Sequence, residues 1–253
     1  MVRLLTLLLL LPFGAWAQDR LDVPVRPGVT EPVYLTPATK PVGTVVLFPG
    51  GSGVVGAVRN NFLLRVAPRF AEAGFNVAVV DTPSDVPGGM GWQFRASAEH
   101  GRDVAAIVAA VKARFPAPLW LIGTSRGSVS AGNGAVVVGP GPGPGPGPGP
   151  GPGAVAGVVL TSSVWMRGMP LVAAERIKVP VMIVHNRDDG CSESPFDGVE
   201  PFRARLTAAP SVKFVPVSGG SSRSEPCQAM SPHGYLGIED QAVGPIVAWM
   251  RGG

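Results

Sequence analysis

The stretch PLWLIGTSRGS, residues 118–128, is a run of large apolar residues that ends at a serine between two glycines. Residues 119–122 have the length and apolar character of a buried strand, and a helix is predicted to begin at Arg126. Residues 123–127, GTSRG, match the pattern G-x-S-x-G, in which Ser125 would occupy a sharp turn between that strand and that helix. Because the chain has 35 glycines, the pattern is informative only together with its surroundings.

Apolar strand-like runs alternate with helix-like segments from residue 43 onward. Strands are predicted at 43–48, 75–80, 119–122, 157–160, 179–184 and 212–217, and helices at 59–73, 96–115, 126–138 and 239–250. This alternation predicts an α/β fold in which helices cover both faces of a mostly parallel sheet. Sheets of this kind bind ligands at the carboxyl ends of their strands. Prolines interrupt the segment before residue 43, where no strand is assigned.

The beginning of the chain has the features of a secretory signal peptide. Arg3 supplies a positive charge, residues 4–11 are almost entirely apolar, and Ala15-Trp16-Ala17 is a small-x-small cleavage pattern. The apolar run is shorter than the ~20 residues that span a bilayer, so no stable membrane insertion is expected. We therefore expect residues 1–17 to be removed and residues 18–253 to form one domain of a secreted or periplasmic protein.

Residues 139–153 alternate strictly between glycine and proline. Proline lacks the amide donor that helices and strand ladders require, so this segment is predicted to be an exposed, irregular, low-complexity insertion. It falls between the helix predicted after Ser125 and the next predicted strand, where the domain can accept an insertion.

Charge and metal-ligating residues argue against two classes of function. The formal net charge is +4, with lysines and arginines scattered along the chain, and no basic stripe indicates nucleic-acid binding. The three histidines are dispersed and no cysteine cluster is present, so neither a metal nor a cofactor is expected. Cys191 and Cys227 are instead expected to form a disulfide, which an even cysteine count favours in an exported chain.

The three histidines differ in their predicted positions. His233 lies in SPHGYLG, residues 231–237, an irregular segment just before the final predicted helix. His100 falls within a predicted helix and is interpreted as a packing or surface residue. His185 ends a predicted strand and is interpreted as a support for the loop that follows. His233 is therefore the candidate base that would activate Ser125.

The carboxylate that orients such a histidine is expected after a strand that follows the serine. Residues 154–178 contain no aspartate, whereas Asp188 and Asp189 directly follow the next predicted strand. The turn pattern strand-H-G-x-x-D, with Asn186 in place of the glycine, favours Asp189, and Asp188 is the alternative. Cys191 lies two residues after Asp189, so the expected disulfide would join the acid loop to the base loop.

Stabilising the negative charge that develops in acyl transfer takes two amide donors. The amide of Arg126, the residue after the serine, is one candidate. The other is expected in FPGGSG, residues 48–53, which follows the first predicted buried strand. Gly51 is the favoured donor there and Ser52 the second choice.

With these features in this order, residues 43–250 resemble the α/β-hydrolase superfamily. The similarity is greatest to small secreted bacterial members with an H-G-[YF]-x-G segment before the last helix. The Pro49-Gly50-Gly51 turn is similar to the HGGG-type turn of that superfamily, with proline in place of histidine. The resemblance implies a serine esterase mechanism, with an acyl-enzyme on Ser125 and no cofactor.

The substrate that the resemblance implies is a small ester or thioester. Only about 17 residues connect the predicted strands that end near 161 and begin near 179, so no large lid is expected. Alternatives with the same residues are a serine peptidase acting on short peptides and a non-catalytic binding protein. Candidates for lining an acyl pocket, or for ordinary core packing, are Trp92, Phe94, Trp165 and Met169.

Overall fold

The computed structural model describes residues 19–139 and 155–253. The predicted signal peptide, and all but the first residue of the glycine–proline insertion, lie outside the described residues. Among the described residues, no helix has the length and apolar character needed to cross a membrane.

Eight strands and six α-helices make up the described chain. The strands are β1 (Asp19–Arg26), β2 (Val29–Thr36), β3 (Gly43–Phe48), β4 (Phe75–Val80), β5 (Leu119–Thr124), β6 (Gly157–Thr161), β7 (Val181–Asn186) and β8 (Val212–Val217). The helices are α1 (Phe62–Glu72), α2 (Trp92–Arg95), α3 (Ala98–Arg114), α4 (Gly127–Val138), α5 (Val199–Ala204) and α6 (Glu239–Met250).

The strands form one sheet in the order β1-β2-β4-β3-β5-β6-β7-β8. β1, β2 and β4 pair antiparallel, and every other pair is parallel. The predicted α/β class and mostly parallel sheet are confirmed. β1 and β2 were not predicted from the sequence because both contain prolines. Pro24 lies on the edge strand β1, where proline is tolerated. Pro32 pairs with Asp22 of β1 and lies just outside the Val33–Thr36 register that joins β2 to β4.

Two apolar cores lie on opposite faces of the sheet. In β3, Val46 and Phe48 point to the core that contains α3 and α4, and Val45 and Leu47 point to the core that contains α1 and α6. All residues of β3 to β7 are buried, as expected for parallel strands covered on both faces. The carboxyl ends of these strands therefore meet at one rigid edge.

Side-chain caps explain where two helices differ from the prediction. The Ser97 side chain accepts a hydrogen bond from the amide of His100 and starts α3, so the predicted helix 96–115 is preceded by the separate turn α2. The Asn61 side chain accepts from the amide of Leu63 and starts α1 later than predicted. Both are polar N-cap residues that satisfy the free amides of a first turn.

The turn between β5 and α4 requires glycine on both sides of the serine. A Cβ atom at Gly127 would lie 2.0 Å from the carbonyl oxygen of Phe48, and one at Gly123 would lie 2.3 Å from the carbonyl oxygen of Gly127. The start of α4 can therefore lie against the end of β3 and against the end of β5 only because positions 123 and 127 carry no side chain.

Substituting Gly127→Ala is expected to lower the free energy of unfolding by about 3 kcal/mol or more, because buried backbone must move to relieve the overlap. Chemical denaturation measures the change. Gly244→Ala in α6 is the matched control, since a Cβ there meets nothing within 4 Å, and it should stabilise the protein by up to about 1 kcal/mol. Equal stability of the two variants would contradict the close approach.

Candidate active site

Ser125 has a backbone conformation that is uncommon for a residue with a side chain. Its φ is 52°, in the left-handed region that favours glycine. The Ser125 amide donates to the carbonyl oxygen of Thr161 at 3.0 Å. The Ser125 carbonyl oxygen accepts from the hydroxyl of Ser128 at 2.6 Å. These bonds to β6 and α4 hold the turn and present the Ser125 hydroxyl at the edge of the sheet.

His233 and Asp189 lie in a line behind that hydroxyl. His233 Nε2 is 3.0 Å from Ser125 Oγ, and His233 Nδ1 is 2.8 Å from Asp189 Oδ2. A carboxylate can only accept, so the pair assigns the proton to Nδ1 and leaves the Nε2 lone pair facing the serine hydroxyl. Asp189 Oδ1 accepts from the amide of Cys191 at 2.9 Å, which fixes the buried carboxylate.

The two aspartates after β7 have different surroundings. Asp189 is buried against His233, whereas Asp188 is exposed. Asp188 Oδ2 accepts from the amide of Gly219 at 2.6 Å, so its carboxylate binds the loop after β8. The structure therefore brings Asp189, and not Asp188, to the histidine.

The other two histidines are buried in supporting positions. His185 Nε2 donates to the carbonyl oxygen of Ser194 at 2.9 Å, which agrees with its interpretation as a support for the following loop. His100 Nε2 is 2.9 Å from Ser130 Oγ. Burial lowers the pKa of both imidazoles, to about 3 for His100, and so favours their neutral forms.

A buried tyrosine and a second strained serine, neither of them predicted from the sequence, hold the His233 loop. Ser162, directly after β6, has a φ of 40°, and its hydroxyl donates to the carbonyl oxygen of His233 at 2.6 Å. Tyr235 donates its hydroxyl proton to the carbonyl oxygen of Val184 at 2.8 Å and accepts from the amide of Ser162 at 3.0 Å. Burial raises the pKa of Tyr235. The tyrosine of the H-G-Y segment was the available signal.

The loop after β3 carries Gly51, one of the two expected amide donors, and Arg126, the other, directly follows Ser125. Gly51 has a φ of 61°, and a Cβ at Gly50 would lie 2.8 Å from Ser125 Cβ, so this loop runs directly against the serine. Within residues 19–139 and 155–253, the amides of Gly51 and Arg126 donate to no acceptor. Both N–H groups are therefore available to a bound oxygen atom. The buried Arg95 guanidinium supports the loop by donating to the carbonyl oxygen of Pro49 at 3.3 Å.

Cys191 and Cys227 form the expected disulfide. It joins the loop that carries Asp189 to the loop that carries His233, over a separation of 36 residues. Cys227 also lines the cavity next to Ser125. The bond therefore restrains two loops whose side chains must stay within hydrogen-bonding distance.

A cavity of about 560 Å³ opens beside Ser125 and His233. Its lining comprises Gly50, Gly51, residues 56–62, Thr124, Ser125, Ser224, residues 227–230, His233 and Gly234. The four residues considered for an acyl pocket do not line it, and Trp165 and Met169 are buried core residues. The connection from β6 to β7, residues 162–180, contains two short 3₁₀ helices and forms no lid.

A second cluster of buried ionisable groups lies between β2 and α3. Ligand atoms of Glu31, His100 and Asp103 lie within 4.8 Å of one another. Asp103 already binds the Arg26 guanidinium at 2.9 Å, and the charge of Arg95 acts on Glu31. Two guanidinium groups therefore already supply the positive charge that a metal ion would bring.

Comparison with solved structures identifies the fold. The chain is similar to an alpha-beta serine hydrolase homologue from Coxiella burnetii, with a TM-score of 0.63 and 18% identity over 93% of this chain and 98% of that one. A serine hydrolase without a lid from Xanthomonas campestris gives 0.61 and 18% over 92% and 94% of the two chains. An esterase of Pyrococcus furiosus gives 0.61 and 15% over 93% and 92%. No protein-family model and no curated protein matches the sequence. The protein has the α/β-hydrolase fold.

Removing the disulfide with the double substitution Cys191→Ser and Cys227→Ser is expected to lower the free energy of unfolding by about 3–4 kcal/mol, because the unfolded chain gains loop entropy. Urea unfolding measures the loss. Reducing the wild-type protein should reproduce it, and the same reductant should leave the double variant unchanged. A variant as stable as the oxidised wild type would show that the bond does not restrain the folded chain.

Glu31→Gln is expected to change how stability depends on pH. Burial, assisted by the charge of Asp103, raises the pKa of Glu31 from 4.5 to about 8. The folded state therefore retains a proton that the unfolded state loses, and stability falls as the pH rises between about 5 and about 8. Because glutamine cannot ionise, the variant should gain in Tm over the wild type across this range.

Thermal unfolding at several pH values measures the difference, with exposed Glu72→Gln as the control that should keep the wild-type slope. Parallel slopes for Glu31→Gln and the wild type would mean that Glu31 is already ionised in the folded protein.

Proposed function

We propose that the protein is a serine hydrolase that cleaves small carboxylic esters or thioesters through an acyl-enzyme on Ser125. The observation that carries the proposal is the aligned pair of short contacts, 3.0 Å from Ser125 Oγ to His233 Nε2 and 2.8 Å from His233 Nδ1 to Asp189 Oδ2. The left-handed backbone of Ser125 and the hydrolase and esterase names of the structural neighbours add support.

In the first half of the reaction, Ser125 Oγ attacks the ester carbonyl carbon while its proton moves to His233 Nε2. The imidazolium that forms is stabilised by the buried Asp189 carboxylate. The carbonyl oxygen becomes negatively charged and accepts from the amides of Gly51 and Arg126. When the tetrahedral intermediate collapses, the alcohol or thiol departs with the proton from Nε2, and the acyl group stays on Ser125.

In the second half, a water molecule attacks the acyl carbon and gives a proton to His233 Nε2. The same two amides stabilise the second oxyanion. Collapse releases the carboxylic acid and returns the proton from Nε2 to Ser125 Oγ. No step of this cycle requires a cofactor.

We also propose that this chemistry takes place outside the cytosol. The signal-like residues 1–17 and the disulfide between Cys191 and Cys227 support an exported protein, because structural disulfides persist in oxidising compartments.

The test compares hydrolysis of 4-nitrophenyl butyrate by the wild type and by Ser125→Ala, Asp189→Asn and Asp188→Asn. Ser125→Ala removes the hydroxyl that the histidine activates, and Asp189→Asn lets the histidine adopt the wrong tautomer. Each variant should therefore lower kcat by about 10⁴-fold. Asp188→Asn is the matched control and should remain within a few-fold of the wild type. Circular dichroism and Tm values establish that each variant is folded.

An active Ser125→Ala variant, or an Asp188→Asn variant as impaired as Asp189→Asn, would contradict the proposed roles. Faster cleavage of short peptide 4-nitroanilides than of esters would identify a peptidase. A folded wild-type protein that cleaves neither class would indicate a binding protein on this fold.

A further inference from the structure

The charged side chain that lines the cavity beside the candidate nucleophile is positive. The cavity lining contains one arginine, Arg59, and no aspartate or glutamate. The Asp189 carboxylate is buried behind His233 and contacts its ring, so it does not face the cavity. A substrate entering this space therefore meets one fixed positive charge and no fixed negative charge.

The Arg59 side chain is held in place at one end and free at the other. Its Nε donates to the carbonyl oxygen of Gly56 at 3.1 Å. The two terminal nitrogens have no hydrogen-bond or carboxylate partner in the part of the chain that the structure describes. A guanidinium in this state offers a planar pair of donors that matches a carboxylate.

The wall that carries Arg59 is tied to the opposite wall of the cavity. The Arg65 guanidinium donates to the carbonyl oxygen of Asn60 at 2.5 Å on one side, and to those of Ala229 at 3.1 Å and Gly234 at 2.6 Å on the other. Glu239 pairs with Arg65 at 2.9 Å and neutralises it. The walls are therefore preformed, and Arg65 is engaged in holding them together, whereas Arg59 is the cation of the lining that can bind a ligand.

A second group of cations, Arg126 and Arg167, lies outside the cavity lining, and Arg126 directly follows Ser125 in the chain. The guanidinium of Arg126 stacks on the Trp92 ring at 4.7 Å, and that of Arg167 lies 5.3 Å from the same ring. Arg167 pairs with Glu193 at 3.2 Å, whereas Arg126 has no carboxylate partner among the described residues. Positive charge beside Ser125 therefore exceeds negative charge here as well, and would attract an anion.

We propose that the preferred substrates are small esters that carry a carboxylate, and that Arg59 binds this carboxylate in the cavity. The proposal rests on the proposed function, and it defines the substrate class of the same site. Polar neighbours in the lining, Asn60 and Gln228, would add neutral donors around the anion. The cavity volume of about 560 Å³ suits small-molecule substrates.

The experiment measures kcat/KM for two matched ester pairs by acid release at constant pH. Monoethyl adipate is paired with ethyl hexanoate, and 4-acetoxybenzoate is paired with 4-acetoxybenzamide. These place the carboxylate in the acyl part and in the alcohol part, respectively. The readout is the ratio of the anionic to the neutral ester within each pair, so a general loss of activity in a variant cancels.

The wild type should prefer the anionic ester of at least one pair. Arg59→Gln should lower the ratio of anionic to neutral kcat/KM about tenfold and no more, because solvent and salt weaken an ion pair in an open site. Arg59→Lys keeps the positive charge but lacks the planar guanidinium, so its ratio should lie between those of the wild type and Arg59→Gln. Arg176→Gln removes the same charge from an exposed position outside the lining and should leave the ratio unchanged. Raising the ionic strength to about 0.5 M should shrink the wild-type preference.

Ratios near one for both pairs, or ratios that Arg59→Gln does not change, would overturn the proposal. If the neutral esters are still cleaved in a Ser125-dependent way, the proposed function stands while the substrate class fails. If the folded protein cleaves no member of either pair and no 4-nitrophenyl ester, both fail together.

Discussion

Only glycine fits where the start of α4 meets the end of β3, because a Cβ at position 127 would lie 2.0 Å from the carbonyl oxygen of Phe48. This close approach brings the loop after β3, with the free amide of Gly51, directly against Ser125. It also forces the sharp turn in which Ser125 takes its left-handed backbone conformation. The position of the serine hydroxyl and that of the amide donors are therefore set by the same contact.

The remaining groups reach the serine because parallel strands end at one edge of the sheet. Ser125 follows β5, and Asp189 follows β7. His233 belongs to no strand, and three restraints compensate: the hydroxyl of Ser162, the buried hydroxyl of Tyr235 and the disulfide from Cys227 to the acid loop. These contacts position a histidine that no strand carries.

Much of this arrangement could be predicted because it depends on local patterns. The apolar runs and their spacing predicted the parallel strands, and G-x-S-x-G between a strand and a helix located the turn at Ser125. The choice of Asp189 over Asp188 came from counting residues beyond β7, and the structure brings Asp189 to His233. These inferences succeed because buried strands have a distinct composition and because a tight turn restricts residue type.

Other features depend on tertiary contacts that leave little trace in the sequence. β1 and β2 contain prolines that count against strands until their edge position and register are known. Glu31 is an ionisable residue in a strand, and only the structure shows that it is buried. The cavity walls are irregular loops without periodicity, so the sequence did not indicate their residues; of the four acyl-pocket candidates, Trp165 and Met169 follow the alternative of core packing. Support of His233 by Ser162 joins residues 71 positions apart.

The central claim is that this assembly activates the hydroxyl of Ser125. Labelling the folded, oxidised protein with a fluorophosphonate probe, followed by peptide mapping, tests the claim most directly, because the probe reacts only with an activated serine in an assembled site. We predict a single adduct on Ser125 that is absent from the Ser125→Ala variant. No adduct, or an adduct on another serine, would contradict the claim that Ser125, His233 and Asp189 act together.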